Sequence, residues 1–200
     1  MTDLLGFLEG LPAVPLYVSI GLLAVVENVF PPVPADSAVA LGAFLAGRGV
    51  LDPWAVFAVT WVGNVGSAAL VYWVGRRYGR AFFAGPIGRR LVSERTLAHI
   101  AEAYRKHGTY GIFLSRLLPV WRAVVPPFAG VAHVPAARAL LPMAIASALW
   151  YGALILLVAT LGTNFDVVVR ALARVNVVLG VVAAALLLVF ATWIFRRLKR

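Results

Sequence analysis

Cysteine is absent from the 200 residues. That removes disulfides, thiolate metal ligands and thiol nucleophiles together, and it leaves the compartment open, because a membrane protein needs no disulfide staple. Acidic side chains are scarce, eight against eighteen basic ones. Histidine occurs three times, as His99, His107 and His133, and none pairs with a carboxylate at metal-ligand spacing. No metal and no cofactor are therefore expected. No Walker loop and no dinucleotide fingerprint occurs, so any energy source would be an ion gradient. The first nine residues contain Asp3 and Glu9 but no Lys or Arg. A secretory signal starts with a basic region, so no cleaved signal peptide is expected.

What the chain has is apolar bulk. Hydrophobic residues make up 62% of it, and the mean hydropathy is +0.91. A soluble domain is roughly 45–50% apolar, and a water-exposed surface built from this sequence would be sticky. The natural solvent is a bilayer. The net charge of +10 clusters beside the apolar segments, as positive-inside anchoring requires, and not on a soluble face suited to nucleic acid.

Apolar stretches cover residues 11–30, 37–46, 53–75, 110–131 with 135–161, and 175–195. A spanning helix needs about 20 apolar residues, which segments 11–30, 53–75, 136–161 and 175–195 supply. Asp52 followed by Pro53 reads as the N-cap and first residue of a helix. Two stretches fit poorly as spans. Pro31, Pro32 and Pro34 precede only a short apolar run, and segment 110–131 contains Arg116, Pro119, Arg122, Pro126 and Pro127. Proline breaks or kinks helices, and lipid-facing arginines at mid-membrane are costly. Both stretches read as re-entrant segments, 31–50 and 110–131, of the kind tolerated only where protein buries them or they line a cavity. Ala129-Gly130 reads as the turn closing the second.

The basic stretch 76–109 and the terminal Arg196-Arg197-Leu198-Lys199-Arg200 should face the cytoplasm. Within that stretch a surface helix is expected from an N-cap at Ser93 to a C′ residue at Gly108. The expectation is an all-α integral membrane protein forming one domain. It has about four transmembrane helices plus two proline-broken re-entrant hairpins in an inverted-repeat arrangement. The first half is 11–75, the second 110–161, and a last helix covers 175–195. The protein would be multi-pass in the plasma (inner) membrane, with both termini cytoplasmic.

Ionisable residues inside a membrane are functional candidates. Glu27 and Asp36 belong to the first half, Arg116 and Arg122 to the second. If the halves pack face to face the charges meet, either as a salt bridge that pins two hairpins or as proton-coupling carboxylates beside an arginine clamp for an anionic headgroup. Arginine suits bidentate phosphate contact. Gly63, Asn64, Gly66 and Ser67 form a small polar patch within a span, read as close helix packing, with Asn64 and Ser67 also candidate headgroup contacts. Trp150 and Tyr151 are read as packing residues.

The run Glu27-Asn28-Val29-Phe30-Pro31-Pro32-Val33-Pro34-Ala35-Asp36 resembles the acidic, proline-rich motif of the DedA membrane proteins, also called the VTT-domain superfamily. Gly42 and Gly47 fit the small residues next to that motif. Gly63-Asn64-Val65-Gly66-Ser67 with Tyr72, Gly75, Arg76 and Gly79 is similar to a second motif of that family. His107-Gly108 with Phe113, Arg116, Pro119, Arg122, Pro126 and Ala129-Gly130 is similar to its arginine motif, and Trp150 fits the tryptophan after it. The likeness covers roughly residues 20–160, and one departure is Ser67, where the family often has an acid. The resemblance implies a lipid transporter: a flippase for undecaprenyl phosphate, a phosphatidylethanolamine transporter or a phospholipid scramblase. For bacterial members it also implies dependence on the proton-motive force. The partners expected are membrane lipids and protons, without nucleic acid, and a homo-oligomer is compatible with the sequence. The alternatives are a small-ion or proton-coupled transporter, a non-transporting structural protein, and a membrane phosphatase, for which His133 is the one histidine on the membrane side of the arginines. An enzyme is not expected.

Overall fold

A computed structural model describes residues 10–29, 35–84, 108–114, 116 and 119–161, with positions 7, 102, 174 and 177 in isolation. Pro31, Pro32, Pro34, His99, His107, most of the basic stretch and the 175–195 segment lie outside the described residues. Among the described residues five helices carry the fold: α1 (Ala13–Val26), α2 (Ala35–Gly47), α3 (Pro53–Ala84), α4 (Pro119–Val131) and α5 (Ala136–Leu161). Residues 108–114 are also helical.

Two of the described helices are long and apolar enough to cross a bilayer, over Pro53–Gly79 and Ala136–Ala159. The expected segment 136–161 coincides with α5. Segment 53–75 is extended: α3 continues to Ala84, so helix occupies the first part of what sequence reads as a basic loop from 76. Segment 11–30 is corrected more strongly. Its helix, α1, has 14 residues, about 21 Å at 1.5 Å per residue, and the chain turns at residues 27–29. Gly108, expected as a C′ residue, instead lies in the helical stretch 108–114.

The start of α3 follows its sequence. Asp52 Oδ1 accepts the Ala55 amide at 2.8 Å, and the Asp52 amide donates to the Tyr17 hydroxyl of α1 at 2.7 Å. The two 13-residue helices, α2 and α4, end alike. After α2 the Val50 amide donates to Leu45 O and the Gly49 amide to Ala46 O. After α4 the Val134 amide donates to Ala129 O and the His133 amide to Gly130 O. Each is a Schellman closure, with Gly49 at φ 78° and His133 at φ 54° in the left-handed position. Ala129 and Gly130 are therefore helical, and the turn expected there falls at Ala132 and His133. Nor do Pro126 and Pro127 end α4; both lie inside it.

Each short helix packs along the long helix of the other half. Gly47 of α2 abuts the Ala159 carbonyl of α5, and Asp36, eleven residues earlier, meets Trp150. Gly75 and Gly79 of α3 abut Pro127 and Val131 of α4. Both pairs run in the same direction. Gly130 fits so closely that a Cβ there would collide with the Tyr72 carbonyl and the Arg76 amide. Gly63 faces the Gly21 carbonyl of α1, which a Cβ would meet at 2.8 Å, as close packing through small residues predicts. Gly66 does not share this role, since a Cβ there would meet nothing within 4 Å.

The distribution of polarity is inverted relative to a water-soluble protein. Val14, Val18 and Leu22 of α1, Val62 and Leu70 of α3, and Leu141, Leu149 and Leu156 of α5 are exposed. Glu27, Asn28, Asp36, Asn64, Ser67, Arg116, Arg122 and Ser147 are buried. Aliphatic side chains outside and charges inside is the arrangement a bilayer imposes.

Candidate functional site

The buried charges form one cluster, and each member arrives by a local feature of the chain. Glu27 and Asn28 sit where α1 stops and the backbone turns inward. Asp36 lies in the first turn of α2. Asn64 and Ser67 share a face of α3, together with Thr60 one turn earlier, at the i, i+4, i+7 spacing. Ser147, Trp150 and Tyr151 share a face of α5 in the same way. Arg116 precedes α4, and Arg122 lies in its first turns.

Arg122 is the hub. Its Nη1 donates to Glu27 Oε1 at 2.8 Å and to Asp36 Oδ1 at 3.1 Å. The Tyr151 hydroxyl donates to Glu27 Oε2 at 2.8 Å, and the Trp150 indole donates to Asp36 Oδ1 at 3.0 Å. The guanidinium carbon stands 5.1 Å from the Trp150 ring centre and 5.7 Å from that of Tyr151, within cation–π range. Carboxylates and aromatic faces from three helices thus hold one cation.

Arg116 is held differently. Its Nη1 donates to Asn28 Oδ1 at 2.9 Å and to the Arg122 carbonyl at 3.2 Å, and its Nη2 to Asn64 Oδ1 at 3.1 Å. All three acceptors are neutral. Asn64 also accepts from the Ser147 hydroxyl at 3.0 Å and donates to Glu27 Oε2 at 3.3 Å. Asn28 Nδ2 donates to Ser67 Oγ at 2.8 Å and to the Asn64 carbonyl at 2.9 Å. The Arg122 carbonyl is free for Arg116 for a covalent reason. Its helical donor would be the amide of residue 126, which is proline and has none. Pro126, expected to break the segment, instead creates an acceptor inside a continuous helix.

Along α3 the cluster lies midway between two exposed tryptophans. On α3, Trp54 and Trp73 are exposed and separated by about 29 Å along the helix axis, close to the thickness of a bilayer core. Tryptophans favour the two interfaces. Asn64 lies about 15 Å from Trp54 along the same axis, halfway between them.

The structure therefore brings together Glu27, Asp36, Asn64, Ser67, Arg116 and Arg122. It places Gly63, Gly66, Pro126 and Gly130 in the helices around them, and Pro119 at the start of α4. Sequence reasoning missed Asn28, Ser147, Trp150 and Tyr151. The two aromatics, read as packing residues, are hydrogen-bond donors to the acids. Their signal was available: Ser147, Trp150 and Tyr151 are polar-tipped side chains on one face of an otherwise aliphatic helix.

The VTT domain family model matches residues 33–160. An alkaline phosphatase-like protein of Lactococcus lactis subsp. lactis is 25% identical over 183 residues, 87% of this chain and 86% of that protein. Undecaprenyl phosphate transporter A of Staphylococcus aureus is 22% identical over 188 residues, 92% of this chain and 93% of the transporter. An uncharacterized membrane protein of Mycobacterium leprae is 30% identical over 119 residues, 60% of this chain and 50% of that protein. No solved structure matches the chain. With a family model matched over more than half its length, an exposed aliphatic surface and helices long enough to span, this membrane protein belongs to the VTT-domain, or DedA, family.

Proposed function

We propose that the protein carries a lipid with an anionic or zwitterionic phosphate headgroup across the plasma membrane, undecaprenyl phosphate being the first choice. It acts as a transporter driven by the proton-motive force and not as an enzyme. The observation that carries this reading is the buried Arg122–Glu27–Asp36 contact, a cation shared between two acids and contributed by opposite halves of the chain. An ion cluster in hydrocarbon is costly and marks a pathway more often than a plain structural core. The cargo fits the residue types, since a guanidinium fork matches phosphate geometry. It also agrees with the name of the Staphylococcus aureus relative.

The mechanism follows from the ion pairs of Arg122. With both acids ionised, they tie the two halves together. Protons arriving at Glu27 and Asp36 remove the countercharges, and the contact between the halves opens for a headgroup phosphate. The protonated acids keep the Tyr151 hydroxyl and the Trp150 indole as partners when the ion pairs open. Alternating access is a rocking of one repeat against the other, and the like order of α2–α3 and α4–α5, short helix, Schellman turn, long helix, supports the inverted repeat. In this topology 31–50 and 110–131 re-enter, α1 crosses as a short helix closed by the buried Glu27 and Asn28, segment 175–195 completes four crossings, and both termini are cytoplasmic.

The test is transbilayer movement of fluorescent polyprenyl phosphate and phosphatidylethanolamine in liposomes holding purified protein, with Arg122→Ala and Glu27→Gln alongside. Movement of one lipid, lost in both variants and weakened when the proton gradient is collapsed, is expected. A folded protein that moves neither lipid, with or without a gradient, refutes the proposal and favours ion transport or a structural lock.

A further inference from the structure

The two arginines differ in one respect that decides what each can do. Arg122 has two carboxylates within 3.1 Å. Arg116 is 2% exposed, and among the described residues every group it bonds is a neutral oxygen: the amides of Asn28 and Asn64 and the Arg122 carbonyl. Its Nε has no partner among them, and neither has the Nη2 of Arg122; what separates the two cations is the carboxylates. A buried guanidinium without a carboxylate beside it is a standing positive charge, and among the described residues Glu27 is linked to it through the Asn64 amide. Nature removes such a charge, pairs it or uses it. The surroundings here are built to hold it: two asparagines, steadied by Ser67 and Ser147, and a carbonyl freed by Pro126.

Resting on the lipid-transport reading, we infer that Arg116 is the permanent seat of the anion, and that Arg122 with Glu27 and Asp36 is a latch that opens for passage without being the principal holder. The ligand class is a phosphate monoester or diester headgroup. Each guanidinium offers one unshared donor, but approaching Arg116 the phosphate displaces no acid. At Arg122 it must first displace two carboxylates. The two posts make opposite demands on substitution. Replacing Arg116 by glutamine removes an uncompensated charge, and Asn64 Oδ1 keeps its Ser147 donor, so the fold holds while binding fails. Replacing Arg122 alone leaves two acids bare, so the fold suffers. Neutralising the whole latch, as Glu27→Gln/Asp36→Asn/Arg122→Gln, leaves the seat intact.

The experiment measures binding of fluorescent phosphatidic acid to protein in phosphatidylcholine nanodiscs, with a melting curve for each variant. Arg116→Gln is expected to bind at least tenfold more weakly while melting no lower than the unsubstituted protein. The latch triple variant is expected to bind within threefold of it. Inorganic phosphate as competitor separates the sources: displacement of the probe assigns the seat to any phosphate, and no displacement to a lipid-borne one, with Arg116 as holder in both cases. If Arg116→Gln binds normally, or melts far below the unsubstituted protein as a broken ion pair would, the division of posts is wrong. Equal loss in Arg116→Gln and the triple variant also overturns it and leaves lipid transport standing. An unsubstituted protein that does not bind the probe overturns the lipid reading itself. Should the triple variant fail to fold, Arg122→Lys, which keeps a cation between the acids, takes its place under the same threefold criterion.

Discussion

Replacing Arg122 by glutamine isolates what the central ion cluster contributes to the fold. The guanidinium is 3% exposed and its Nη1 bridges Glu27 and Asp36. Two carboxylate oxygens that share one nitrogen lie within about 6 Å of each other, a range at which like charges strongly oppose ionisation. Losing one partner of a buried ion pair costs about 3–5 kcal/mol, because the remaining charge is left without an answer in low dielectric. At roughly 2–4 °C per kcal/mol for a chain of this size, the melting temperature should fall on the order of 10 °C. Neutralising the acids as well should recover most of that loss, because no bare charge remains. The assay is the thermal transition of purified protein in one detergent, followed by intrinsic fluorescence for the single variant, the triple neutral variant and the parent. A single variant melting within two degrees of the parent, or a triple variant no more stable than the single, would show that the cluster is not an electrostatic lock.

Three further outcomes rest on the geometry. Gly130→Ala should sharply lower the yield of folded protein, since its Cβ collides with the backbone of α3, whereas Gly66→Ala should fold normally and gain up to about 1 kcal/mol of helix propensity; size-exclusion profiles of the two compare them directly. His133→Gly should keep transport and melt no lower, because the residue holds a left-handed turn position that costs a side-chain residue about 1 kcal/mol; loss of activity in a folded variant would instead support a histidine-dependent chemistry. Brominated lipids should quench Trp54 and Trp73 best when the bromines lie near the headgroups, and equally poor quenching at all depths would remove the mid-depth placement of the cluster.

How much of the molecule is legible in its sequence depends on which physical term decides each feature. Segment 136–161 reads correctly at its start because its apolar run is bounded by Pro135. Asp52-Pro53 is legible because capping is local chemistry. The meeting of Glu27 and Asp36 with Arg122 follows from charge balance, since neither half tolerates its ions alone in hydrocarbon. Length from hydropathy fails for α1. Composition stays apolar up to Phe30, but the side chains of Glu27 and Asn28 must turn into the protein, and the backbone turns with them. The prolines of α4 mislead for a related reason. A proline ends a helix when the carbonyl it strands finds no partner, and here Arg116 supplies the partner from outside the helix. Trp150 and Tyr151 are hidden because their polar atoms matter only once the acids of another half are beside them.

Function and fold draw on the same interaction in this protein. Five side chains from both halves complete each other's hydrogen bonding around Arg122, so the halves are held together by contacts that must loosen if cargo is to pass. A purely structural lock would gain from replacing the ions with well-packed apolar residues, which often stabilises buried clusters of this kind. Under the transport proposal, charge buried between the halves is explained by a partner that arrives and leaves. The asymmetry between the arginines sharpens that argument. One cation paired with acids and a second answered only by amides is a poor design for rigidity. It is a workable one for receiving an anion, since the resting cluster is stable without cargo and still keeps one positive group uncommitted. The helical carbonyl that Pro126 leaves open is part of the same arrangement. Pro126→Ala would restore a competing backbone donor to the Arg122 carbonyl, and Arg116 would lose one of its three acceptors. Anion binding should then weaken severalfold with little change in melting temperature, a pattern that titration with a phosphate lipid can read. Unchanged binding would mean that the carbonyl contact does not help to place Arg116.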